Sequence, residues 1–114
     1  MSEFFKSEMV RGDLQEMMEL QQTCFRYAMS FPVLDKDRKE EYLQAMLLLL
    51  EKQEIMYTRM SLSDDEEAQT VVDNMRNAAV MLGGDADLTI DLLFNDLRQK
   101  VNFMLDKLQS GPEG

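Results

Sequence analysis

Histidine and tryptophan are missing from this 114-residue chain, cysteine occurs once, and glycine and proline together are scarce at five and two residues. Each absence removes a class of function. Without histidine, the side chain that changes charge near neutral pH, the chain cannot build serine triads, His-ligated zinc sites or the Glu-x-x-His di-iron sites of helical bundles. A lone Cys24 cannot close an intramolecular disulfide, which predicts a reducing, cytoplasmic setting. Positive charge is also sparse: 12 Lys and Arg stand against 22 Asp and Glu, for a net −10. That balance argues against binding nucleic acid, which needs clustered cations, and against anionic membrane surfaces.

Long apolar runs are missing too. The stretch Met46–Leu50 is apolar all round a helix, but it is far shorter than the ~20 residues of a membrane span. Glu40 and Glu41 before it and Glu51 and Lys52 after it are charged. The opening "MSEFFKSEMV" has no basic region followed by a long apolar one, so no secretory signal is expected.

What remains is helical periodicity on a globular composition, 45% apolar and 30% charged, with eleven methionines. Val10, Leu14, Met17, Cys24, Ala28 and Phe31 step by four and three, with Gln21 in the vacant place. Pro32 ends that helix near Met29. Asp35 is a good N-cap for a second helix with two adjacent stripes. One runs Tyr42, Met46, Leu49, Met56, Met60; the other runs Leu43, Leu47, Leu50, Tyr57.

In "SLSDDEEAQ", Ser63 and Glu66 have capping-box spacing, with Asp64, Asp65 and Glu67 adding charge to the positive end of a third helix. The same cluster lacks EF-hand spacing, so a cap explains it better than calcium. The third helix continues through Ala68, Val71, Val72, Met75, Ala78, Ala79 and Leu82. Gly83 and Gly84 supply its C-cap. Thr89, or alternatively Asp87, caps a fourth helix carrying Ile90, Phe94, Leu97, Val101, Met104 and Leu108.

The chemistry-bearing residues are few. Cys24 sits on an apolar stripe with no histidine to activate it, as a packed thiol does. Glu16 with Glu19, and Glu51 with Glu54, form E-x-x-E pairs on the first two helices. If they converged, they could hold Mg²⁺ on a phosphate substrate, as in the all-α nucleoside triphosphate pyrophosphatases that this spacing resembles. A solvated helix flank is the plainer reading, since such pairs are common on helix surfaces. The methionines fit either a core or an adaptable partner-binding groove.

Three stretches, "FFKSEMV", "SLSDDEEAQ" and "LTIDLLFNDL", taken in that order, resemble a cyanobacterial and cyanophage family of short all-helical proteins described as a domain of unknown function. The resemblance covers Phe4 to Leu108 and departs at the connection "SFPVLDKDRKEE". It implies a helical fold and a cyanobacterial or cyanophage setting. It implies no activity.

The expectation is an all-α, four-helix, bundle-like single domain over residues 1–109, with a flexible tail at 110–114. A long N-terminal hairpin, Ser7–Met29 and Lys36–Met60, precedes helices Asp64–Leu82 and Ile90–Leu108. The expected function is a non-enzymatic cytoplasmic interaction or regulatory protein, oligomeric or bound to a protein partner, without cofactor or metal. Its expected contact surface is Phe4, Phe5, Met18, Phe25, Leu48 and Tyr57. The Mg²⁺-dependent phosphohydrolase on Glu16, Glu19, Glu51 and Glu54 is the alternative.

Overall fold

The computed structural model describes residues 3–81 and 90–110. Among them are five helices and no strand: α1 (Glu3–Lys6), α2 (Glu8–Met29), α3 (Lys36–Ser61), α4 (Glu66–Met81) and α5 (Ile90–Ser110). A 3-10 turn, Phe31–Val33, links α2 to α3. The all-α hairpin architecture expected from periodicity is present, with the short α1 as an addition. The expected Gly83–Gly84 cap, the Thr89 or Asp87 cap and the end of the tail lie outside the described residues.

Local chemistry sets the boundaries. Ser7 Oγ accepts a hydrogen bond from the Val10 N–H at 3.4 Å and starts α2. At the other end the Ser30 N–H closes onto Tyr27 O at 3.1 Å, and Pro32 occupies the first turn of the 3-10 segment. Asp35 Oδ1 accepts from the Arg38 N–H at 2.8 Å, so the expected N-cap of α3 is in place.

The cap of α4 is Asp65, two residues beyond the expected Ser63, so the helix starts at Glu66 and the capping box is not used. Asp65 Oδ1 accepts from the N–H groups of Glu67 and Ala68, at 2.9 and 3.2 Å. Ser63 Oγ instead accepts from the Asp65 N–H at 3.0 Å and shapes the turn before the cap. The other Asp65 oxygen, Oδ2, accepts from the Phe4 N–H at 3.0 Å, tying α1 to α4. One carboxylate thus joins two elements 61 residues apart in sequence.

α3 is the shared wall of the molecule, packed against α2, α4 and α5. Its Leu43, Leu50 and Tyr57 stripe faces α5, where Tyr57 and Phe94 meet at 6.5 Å between ring centroids. The neighbouring stripe is buried at Met56 and Met60 and half-buried at Tyr42, Met46 and Leu49. Tyr42 meets Phe31 at 5.3 Å. α4 seals the lower half through Ala68, Val72 and Ala79. The body is flat, 51 × 34 × 20 Å, as expected for two helices on opposite sides of a third.

The leucine run is therefore buried against its own chain, except at one edge. Leu50 is in the core, Met46, Leu47 and Leu49 are half-buried, and Leu48 is 44% exposed. Leu43→Ala, at a position 1% exposed, should cost about 3 kcal/mol in urea unfolding. Leu48→Ala should cost under about 1 kcal/mol by the same measure. Asp65→Ala should cost about 2 kcal/mol and expose the Phe4 amide to hydrogen exchange, while Asp65→Asn, which keeps one carbonyl acceptor, should cost less.

Candidate interaction surface

On α2 the two halves of the sequence pattern separate. Val10, Met17 and Cys24 point inward as expected, but the positions beside them do not. Asp13, Leu20 and Tyr27 take the inner places, while Leu14, Gln21 and Ala28 are exposed. Neighbouring residues lie about 100° apart on a helix, so both sets flank the shared residues and both keep helical spacing. Polar pairs to α3 accompany the rotation that is adopted. Asp13 meets Arg59 at 2.6 Å, Glu16 meets Lys52 at 2.8 Å, and the Tyr27 hydroxyl donates to Glu41 at 2.8 Å. The hydrogen bond to Glu16 is the main reason the Lys52 pKa lies above its ordinary value, with burial opposing it. The Tyr27 pKa is raised first by its bond to Glu41 and then by burial.

The consequence is an uncovered apolar stripe on the outer side of α2. Leu14, Met18, Gln21, Phe25 and Ala28 follow one another at four, three, four and three residues, the spacing of a coiled-coil seam. Met18 is 53% and Phe25 67% exposed, and Met29 extends the stripe. A shallow depression of about 670 Å³ runs along it between Met18, Gln21, Gln22, Phe25 and Arg26.

The six expected contact residues do not form one surface. Met18 and Phe25 lie together. Leu48 is on the other edge of the hairpin, one helical turn from Lys52, whose partner Glu16 is about 200° round α2 from Met18. Phe4 and Phe5 stack edge-to-face at 5.0 Å and are half-buried against the core. Tyr57 is corrected outright: it is 7% exposed, and its hydroxyl accepts from Arg76 Nε at 3.1 Å. Its place on a stripe beside Leu50 was visible in the sequence, and burial follows from that place. Leu14 and Gln21 are exposed: their spacing was legible, but it was assigned to the buried side.

The four glutamates of the phosphohydrolase alternative are held apart. Glu16 is taken by Lys52 across the hairpin, and Glu19 accepts from Gln15 on its own helix at 3.2 Å. Glu54 is drawn to the opposite side of α3 by Arg98 of α5, and Glu51 is exposed. Among the described residues, no group of three or more acidic or cysteine side chains is placed to hold a metal ion. No described helix is long and apolar enough to cross a membrane.

Cys24 is half-buried, and burial pushes its thiol pKa up. Tyr42 is raised too, by burial first and then by the charge of Cys24. Because the thiolate is the reactive species, iodoacetamide at pH 8 should alkylate Cys24 more slowly in the folded protein than in the urea-unfolded chain. Equal rates would show an accessible, unperturbed thiol.

No curated protein and no solved structure matches the chain. One family model does match, over residues 2–108. By that match, which covers nearly the whole helical body just described, the chain belongs to the family described as Domain of unknown function (DUF1825).

Proposed function

We propose that the protein is a non-enzymatic interaction or regulatory protein that self-associates through the outer stripe of α2. Its setting is the cytoplasm of a cyanobacterium or of a cell infected by a cyanophage, as the sequence resemblance implies. One observation carries this reading. The inner side of α2 holds Asp13 and Tyr27, while Leu14, Met18 and Phe25 are left exposed in a row on its outer side. Exposed apolar residues in a continuous row on one helix are what a partner helix covers.

Charge supports a second copy as that partner. Glu19 and Arg26 lie seven residues apart on one edge of the stripe, on either side of its midpoint near Gln22. Arg26 has no carboxylate partner among the described residues; its guanidinium donates only to Thr23, at 3.5 Å. A two-fold axis through the midpoint would set each Glu19 against the Arg26 of the other copy, as an isologous antiparallel contact requires. The separated carboxylates give the phosphohydrolase alternative no comparable support.

Light scattering and sedimentation across micromolar concentrations test the proposal. The expected outcome is a monomer–dimer equilibrium that Phe25→Glu abolishes. Glu19→Arg or Arg26→Glu alone should weaken it about tenfold, and the two together should restore it. A wild-type chain that stays monomeric to hundreds of micromolar overturns the self-association reading.

A further inference from the structure

A second uncovered apolar site lies at the opposite side of α3, where its N-terminal end and the C-terminal end of α5 face the 3-10 turn. The groove holds about 290 Å³. Leu43, Met104 and Leu108 line it, with Phe31 and Phe103 as further apolar walls. Lys39 and Lys107 also line it, and each stands over one of those rings, at 5.4 Å from Phe31 and 5.3 Å from Phe103.

These two lysines, like Lys36 and Arg26, belong to the described cations that lack a carboxylate partner. Lys52 and Lys100 are neutralised by Glu16 and Asp96, and Arg38, Arg59 and Arg98 each have a carboxylate. Among the described residues, Lys39 and Lys107 have none. The nearby Glu40 carboxylate instead accepts from the Gln109 amide at 3.1 Å. A chain of net charge −10 therefore places two uncompensated ammonium groups beside one apolar groove. Lysine stems can cover apolar surface while their heads stay in water, so these heads can meet a charged group at the rim.

We propose that this groove binds a small apolar anion: an acyl chain of medium length ending in a carboxylate. The chain lies on Phe103, Met104 and Leu108, with Leu43 closing the floor, and the carboxylate meets the lysine rim. The volume is just below the roughly 300–1,000 Å³ of drug-sized ligand sites, which suits a single short chain. Apolar lining supplies the affinity and the lysines select the charge. Each methylene removed from water should tighten binding roughly fourfold until the groove is full.

The experiment uses the full chain with ¹³C-labelled methionine methyl groups, titrated with decanoate, decanol and decylammonium below their aggregation limits. The expected result is a saturable shift of the Met104 methyl with decanoate, weaker with octanoate and weakest with decylammonium. The double variant Lys39→Gln/Lys107→Gln should lose roughly three- to tenfold in decanoate affinity with decanol binding unchanged. Its melting temperature, measured alongside, should fall by only a few degrees, because each substitution removes one ring contact at the surface and nothing from the core. Equal binding of decanoate and decanol to the wild type would overturn the anion selectivity. Shifts confined to other methionines, such as Met18, would overturn the site. A response to an acidic apolar peptide but not to decanoate would overturn the ligand class.

Discussion

The architecture depends on one helix being buried from two opposite sides. An ordinary surface helix hides about a third of its circumference, but α3 carries two apolar stripes and satisfies them with different neighbours. α5 takes Leu43, Leu50 and Tyr57, while α2 takes the side that includes Met56. Removing either neighbour would bare a row of large side chains, so α3 is fully covered only with both in place. This constraint also makes the molecule flat. Helices set on either side of a shared wall do not close into a compact bundle, and each outer helix keeps a face to water.

The ion pairs across α2 and α3 give that arrangement its rotation more than its stability. Most are half-exposed, and such pairs contribute little each. Their effect is on alternatives. Asp13 with Arg59 and Tyr27 with Glu41 fix which of two near-equivalent stripes turns inward. Specificity of this kind trades apolar burial for a unique register, as polar groups do at coiled-coil seams. Apolar side chains are left uncovered as the result.

Much of the fold could be read from the residues, and the failures have physical causes. Pro32, Asp35 and the double stripe of α3 each act within a few residues, so the end of α2, the cap of α3 and the central place of α3 were legible. The Asp65 cap was not. The serine-to-glutamate spacing at Ser63 and Glu66 satisfies the local rule, but a carboxylate two residues on offers two oxygens and a partner from another element. The facing side of α2 failed for a related reason. Periodicity defines a stripe only to within one residue, and the choice lay with partners on α3. The exposure of Met18 and Phe25 was legible because each is a large apolar residue off the counted stripe. The apolar groove at the lysines joins three separated segments, and no local pattern announces such a junction.

The bond from Phe4 to Asp65 has a further consequence for the order of assembly. The amide and its acceptor are 61 residues apart. At roughly 5–20 residues per second of synthesis, Phe4 is made about 3–12 s before Asp65 exists to receive its amide. During that interval α1 has neither its anchor nor the α4 wall, and four residues are too few to hold a helix alone. The first turn of the chain is then among the last to become structured.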